Sequence, residues 1–470
     1  MKKKILYGLA LVLAITISFT AFHKVFSFKY GEGIYNFKAY RELPKDSLDL
    51  LLIGSSHAFE DINPAILWED DGIAAFDLCG EFQPMWNSYY NLQEALKYQT
   101  PKLVLLEGYT LTLDLEYSEP ERIIKNTYGL KPSVNRIKSN QVSTPKGEHL
   151  SYLLEYIQYH NRYNAIEAED FKKYKDNEKK YKGWKGFGNN FEVMEFPDYE
   201  PVINDGTRGD IPDKQEEYYI KIIEMCQERN IPLLITVSPY AGYTMKEMAI
   251  HNTAADIAAS YGVPFVNYNE YTKEMGFDGM TDAADTGHLS AAGSAKLTHF
   301  MAPYFLENYE WEDHTGDPKY ESWDKDAHYY NNQMIDHKLG EITDTDEYAE
   351  ELTKLNDDFI FVVYAYSEDW SSDLIVQYMD LLADKGLNLY GDEKAMVYED
   401  GEVTLASPHK EGYFYSKRFD GKELLIDEEG IFFDRINYGK VKNGINITIY
   451  DKITGEVADA VGITPFGIER

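Results

Sequence analysis

Two short stretches carry residue types that could perform acyl chemistry. The first, Gly54-Ser55-Ser56-His57, ends the apolar run Leu48 to Ile53 and leads into a polar turn. In an open α/β sheet, reactive groups collect just beyond the carboxyl ends of the strands. A glycine ahead of the serines permits a tight turn that lifts a hydroxyl out of the sheet, although Gly and Ser are also simply good loop residues. The second stretch, Asp285-Thr286-Gly287-His288-Leu289-Ser290, lies just before a helical pattern. An Asp and a His three apart in a tight turn can lie on one side, the carboxylate holding one imidazole nitrogen while the other faces a serine. Among eleven histidines one such pair is unremarkable by itself, and a His near a helix start is commonly a surface or capping residue. Taken together the two stretches say more: the serine follows a first strand and the Asp–His pair follows a last one, so both fall on one sheet edge. His57, adjacent to Ser56, diverges from it at such a turn and cannot serve as its base. It reads as a pocket-wall residue, or as a packing or capping one.

The elements that must position these residues alternate between strand and helix. Leu48 to Ile53, Gly72 to Cys79, Lys102 to Leu106, Ile231 to Val237 and Val263 to Tyr268 have the apolar character of buried parallel strands. Between and after them, Trp86 to Tyr98, Asp213 to Glu228, Met245 to Tyr261 and Ser290 to Tyr304 have helical spacing. That alternation predicts a parallel sheet with helices on both faces. The progression is interrupted by residues 110–208, rich in Tyr, Lys, Glu and Asn. Within it Tyr174, Tyr181, Trp184 and Phe187 cluster among Gly183, Gly186 and Gly188. This insertion reads either as a lid over the active edge, with Tyr181, Trp184 and Phe187 meeting substrate, or as a surface excursion packing its aromatics on itself.

At the amino end Lys2, Lys3 and Lys4 precede the uncharged run Ile5 to Phe22, eighteen residues that just suffice for a membrane span, about 20 being typical. The basic flank places the N-terminus in the cytoplasm and the bulk of the chain outside. With no A-x-A site and no lipobox cysteine, a signal anchor is preferred over a cleaved signal peptide. The formal charge of −34, from 46 Lys+Arg against 80 Asp+Glu, argues against nucleic acid and anionic headgroups as partners of the soluble part and suits a neutral or cationic substrate. Cys79 and Cys226 sit in apolar contexts and read as two buried thiols, or as one disulfide. No residue spacing implies a metal or an organic cofactor.

The order of the two polar stretches resembles the SGNH (GDSL-type) hydrolases, over roughly Leu48 to Phe305 without the insertion. Gly54-Ser55-Ser56 matches their first block and Asp285-x-x-His288, with Leu289-Ser290-x-x-Gly293, their fifth. The resemblance implies a three-layer, flavodoxin-like α/β domain in which Ser56 is the nucleophile, His288 the base and Asp285 its orienter. It further implies an oxyanion hole from the Ser56 and Gly80 amides. Two features depart from the pattern: Ser55 stands where the family has Asp, and Glu107-Gly108-Tyr109-Thr110 stands where it has Gly-x-Asn-Asp, so the Asn donor is missing. A Gly-Ser-Ser-His block behind an N-terminal anchor is similar to the branch containing the D-alanine transfer protein of lipoteichoic acid and the periplasmic alginate O-acetyltransferases. That branch implies an O-acyltransferase acting on an extracellular glycan or acylated polymer beside a membrane-bound O-acyltransferase partner. The same three residues with water as acceptor make a carbohydrate esterase, and a non-catalytic surface-binding protein on the same fold is the third reading.

Residues 345–470 form a second globular pattern: a helix (Tyr348 to Asn356), a strand (Asp358 to Tyr366), a helix (Leu374 to Lys385) and short β segments ending near Ile463. Asp358 to Gly386, with Lys442-Asn443-Gly444-Ile445-Asn446 and the hairpin signal Asp451 to Gly455, resembles the interleukin-like EMT inducer (ILEI) domain. A contact surface for glycan or protein, or a structural appendage, is what such a module implies. The expected division is therefore residues 1–28 for the Lys cluster and anchor, 40–310 for the SGNH-like domain, 311–344 for an acidic, aromatic linker, and 345–470 for the ILEI-like domain.

Overall fold

Five runs of aliphatic residues build the first sheet: Leu50–Ile53 (β1), Ala75–Asp77 (β2), Leu103–Glu107 (β3), Leu233–Val237 (β4) and Phe265–Asn267 (β5). The structure, a computed structural model, describes residues 2–26, 32–154, 157, 163–171, 184–366, 395–406, 413–419, 421–464 and 466–470. Every pairing is parallel, with Leu51 opposite both Phe76 and Val104, and the order is β2-β1-β3-β4-β5. In this doubly wound order the chain switches direction between β1 and β3. At such a switch point the loops leaving adjacent strands diverge and open a crevice at the carboxyl edge.

Because successive side chains point to opposite faces, the strands feed two cores. Leu51, Ile53, Val104, Leu106 and Ile235 pack with Trp86, Tyr219, Ile222 and Ala254 from helices Met85–Ala95, Asp213–Glu228 and Met245–Ser260. Leu50, Leu52, Leu103, Leu105 and Leu234 pack with Leu67, Leu297, Met301 and Phe305 from helices Pro64–Asp71 and Ala291–Asn308. Cys226 belongs to the first core and Cys79 to the second, so the sheet separates them and both thiols are free and buried. The N-terminal helix Lys2–Phe26 contains one stretch, Lys3–His23, long and apolar enough to cross a membrane.

Among the described inserted residues, two parts bear on the first sheet. Helices Pro120–Thr127 and Val134–Ser143 follow β3. The second helix docks by polar contacts: Asn87 Nδ2 donates to Ser143 Oγ (3.0 Å) and Asn135 Nδ2 to the Tyr90 carbonyl (3.0 Å). Residues 184–199 then run as an irregular strap held by its backbone. The Asp77 amide donates to Lys185 O (2.7 Å), Gly188 N to Phe59 O (2.7 Å), Ala291 N to Asn190 O (2.6 Å), and Met194 N to Ala283 O (2.9 Å).

The chain divides into units Met1–Ala327 and His328–Arg470. Residues 311–344 are not a bare linker, because they contain the helix Glu321–Glu341. Its first turns belong to the first unit: Trp323 is buried, donates its indole N–H to the Ala75 carbonyl (2.9 Å) and stacks 6.1 Å from Trp68. In the second unit the strand Phe359–Tyr366 (β6) and the strand Gly444–Asp451 (β7) lie side by side in an antiparallel sheet of six strands among the described residues, which also form a separate four-stranded sheet. Asp451 to Gly455 forms the expected hairpin, with Gly455 at φ +71° and the Asp451 Oδ1 accepting the Ile453 amide (2.7 Å). The predicted helix at 374–385 lies outside the described residues.

Replacing Trp323 with Ala removes a fully buried indole and its hydrogen bond. Such a truncation costs about 3–5 kcal/mol, so urea unfolding of the full chain should show the first unit's transition displaced by that amount. A change below about 1 kcal/mol would mean that the helix is a dispensable connector.

Candidate active site

The close approach of two strand ends sets the local geometry. A Cβ at Gly54 would stand 2.6 Å from the Glu107 Cβ, so only glycine lets the end of β1 pass the end of β3. The chain then turns at Ser55, which caps the four-residue helix Ser56–Phe59; its Oγ accepts the His57 amide (3.3 Å) and donates to Glu107 Oε2 (2.9 Å). The Ser56 amide occupies the first helical position, where no intrahelical acceptor exists.

The second half of the site is a turn braced at both ends. The Asp285 Oδ1 accepts the amides of Gly287 (2.6 Å) and His288 (2.9 Å), and its carboxylate meets His288 Nδ1 at 2.9 and 3.1 Å. Ser290 caps the next helix, accepting the Gly293 amide (3.3 Å), and Leu289 N–H donates to the buried Asp61 Oδ1 (3.0 Å). These contacts bring His288 Nε2 to 2.8 Å from Ser56 Oγ. Since a carboxylate accepts only, the imidazole proton sits on Nδ1 and Nε2 accepts from the serine hydroxyl. Ser56 is 5% exposed, while the His288 and Asp285 side chains are 20% and 46% exposed, so the assembly borders solvent. Burial pushes the Asp285 carboxyl up, but the His288 ring and the Gly287 and His288 amides outweigh it and hold the group below its ordinary range.

The structure thus brings Ser56, His288 and Asp285 into one hydrogen-bonded series. It treats the other expected site residues differently. The Gly80 amide donates to the Gly54 carbonyl (3.2 Å), extending the ladder between the ends of β1 and β2. Trp184 lines a narrow cleft with Asn63, Pro64, Ala65 and Trp323, its ring 6.2 Å from the buried Phe187; these neighbours lie on the β2 side. Tyr181 lies outside the described residues. His57 is buried and stacks on Tyr109 at 3.7 Å, with Tyr240 edge-on at 4.8 Å and the His288 ring 5.0 Å away.

Three supporting residues had no signal of their own in the sequence. Asp61 holds the amide after His288, Ser238 at the end of β4 donates to the His57 carbonyl (2.7 Å), and Glu107 bridges Ser55 and the Tyr109 amide (2.6 Å). Ser238 just past β4 and Glu107 at the end of β3 could have been marked by their place at strand ends; Asp61, beyond the short helix that follows β1, has no such mark. Burial raises the Asp61 carboxyl well above its usual range despite the Leu289 amide, and lifts Glu107 to about 7 against the opposing bonds from Tyr109 and Ser55.

No protein-family model matches the chain, and no curated protein matches it. Among solved structures, a Bacteroides fragilis chain named a putative acylhydrolase aligns with a TM-score of 0.29 and 10% identity, covering 57% of this chain and 93% of that one.

Glu107 gives the site a stability signature. Its folded value, about 7, lies above the ordinary 4.5, so the folded state binds the extra proton between those values. The stabilisation this confers is complete below about pH 4.5 and is lost as pH rises through about 7. Thermal midpoints from pH 4 to 8 should fall across that window in the wild type, and Glu107→Gln should flatten the fall. Parallel curves for the two proteins would contradict the assignment.

Proposed function

We propose that the chain is a membrane-tethered, extracytoplasmic serine acyl-transfer enzyme of the SGNH type, an O-acyltransferase that modifies a cell-surface polysaccharide. The observation that carries this reading is the hydrogen-bonded path from Asp285 through His288 to Ser56 Oγ at the switch point of a parallel sheet. In it, Ser56 Oγ attacks the donor's carbonyl carbon while His288 Nε2 takes the hydroxyl proton, and Asp285 orients the ring and stabilises the imidazolium. The ester C–O bond then breaks, His288 returns the proton to the departing oxygen, and an acyl-Ser56 remains. A glycan hydroxyl then attacks the acyl carbon, losing its proton to His288; the bond from that carbon to Ser56 Oγ breaks, and His288 returns the proton to Ser56 Oγ, which completes transfer. Water in that place gives an esterase with the same three residues.

The apolar span at Lys3–His23 and the preceding lysines support an anchor with its N-terminus cytoplasmic and the two units outside. The net charge of −34 favours a neutral or cationic polymer as acceptor. A membrane-bound O-acyltransferase supplying activated acyl groups is the partner this arrangement calls for. The second unit, in the same reading, is an ILEI-like contact module.

Hydrolysis of an aryl acetate by the full-length protein tests the assignment. Ser56→Ala and His288→Ala should each lower kcat/KM by at least about 10³-fold, and the double variant should lose little more, because residues acting as one unit are not additive. Undiminished turnover in folded Ser56→Ala would remove the nucleophile assignment.

A further inference from the structure

We infer that the imidazole of His57, through Nε2–H, is the donor that meets the carbonyl oxygen of an acyl group under attack by Ser56. This inference rests on the acyl-transfer reading above. It answers a shortage that the geometry creates: the Gly80 amide is engaged with Gly54 O, and the segment after β3 carries Glu107-Gly108-Tyr109-Thr110 with no Asn side chain. Neither of these two donors therefore joins the Ser56 amide, where acyl-transfer sites use two or more.

The ring of His57 is held in one plane. It stacks on Tyr109 with an interplanar angle of 13°, abuts Tyr240 at 80°, and its backbone carbonyl is fixed by the Ser238 hydroxyl at 2.7 Å. Its two nitrogens have unequal surroundings. Nδ1 is fully buried with no hydrogen-bond partner, whereas Nε2 faces the Asp285–His288 turn, 3.5 Å from where a Cβ on Gly287 would sit. A neutral imidazole carries one proton. On Nδ1 that proton would be a buried N–H without an acceptor, the rarer and costlier defect. On Nε2 it points toward the space shared with His288.

Neutrality follows from the same surroundings. Burial, followed by the nearby His288 and His251 rings, keeps His57 from taking a second proton. As His288 gains the Ser56 proton, its positive charge 5.0 Å away strengthens that preference. His57 therefore donates without competing for the proton in transit. A side chain at Gly287 would fill the approach to Nε2, which gives that glycine a role beyond the turn.

The test compares the full-length wild type with His57→Leu, which fills the space without a donor, and His57→Gln, which restores an N–H. Each is assayed with an aryl acetate and with an aryl trifluoromethyl ketone, whose Ser56 adduct carries an oxyanion. We expect His57→Leu to lower kcat by about 10²–10³-fold, with KM within about threefold, and to weaken the ketone by a similar factor. His57→Gln should regain part of both. Full kcat and unchanged ketone affinity in His57→Leu would overturn the inference, as would a loss confined to KM. Should His57→Leu fail to melt cooperatively, ¹⁵N-histidine spectra of the wild type decide instead. An Nε2–H resonance that moves downfield on adding ketone supports the donor, and a proton on Nδ1 or an unmoved signal overturns it. A wild type that never acylates at Ser56 would bring down the acyl-transfer reading itself, an outcome distinct from acylation that is indifferent to His57.

Discussion

The 2.8 Å bond between His288 Nε2 and Ser56 Oγ joins residues 232 positions apart, and much of the first unit can be understood as what holds that distance. Ser56 is placed by β1, whose end passes β3 closely enough to require Gly54. His288 is placed by a turn that Asp285 folds around its own backbone amides, that Asp61 anchors through Leu289, and that Ser290 closes by capping the following helix. The Asp285 and Ser290 contacts are local, whereas the Asp61–Leu289 bond and the Gly54–Glu107 approach join distant segments. The long-range part is supplied by sheet topology, because parallel strands with crossover helices return every reactive loop to one edge.

That arrangement gathers carboxyl groups away from water. Asp61, Asp77 and Glu107 all lie fully buried near the carboxyl ends of β1 to β3, and burial raises each of them. Asp77 has no hydrogen-bond partner on either oxygen, so a neutral carboxyl is its least costly form. Asp285 differs: it is half exposed and hydrogen-bonded four ways, and stays ionised beside the histidine it orients. Under the proposed function, this contrast between buried, proton-retaining carboxyls and one solvated, charged carboxylate separates support from chemistry.

Much of this architecture was legible in the chain. Leu50 to Ile53 is uniformly apolar and Leu233 to Val237 apolar but for Thr236, because both faces of a central parallel strand are covered, and the Asp–x–x–His spacing announces a turn that can fold on itself. The remainder was hidden for physical reasons. Helix Glu321–Glu341 has acidic and aromatic residues with little apolar period, since only Tyr320, Trp323 and Ala327 enter the first core near its start. The direction of the Gly80 amide depends on how β2 ends beside Gly54, and the contacts of Trp184 depend on a strap fixed by scattered backbone bonds. Neither leaves a trace in residue type or spacing.

The central claim is that Ser56 is an acyl-accepting nucleophile, and intact mass of the full-length protein after brief exposure to p-nitrophenyl acetate tests it most directly. The account predicts a single acetyl adduct that peptide mapping places on Ser56, with a lifetime shortened by an acceptor glycan. No adduct there, repeated with a fluorophosphonate probe, would contradict it and leave a surface-binding protein built on the same sheet.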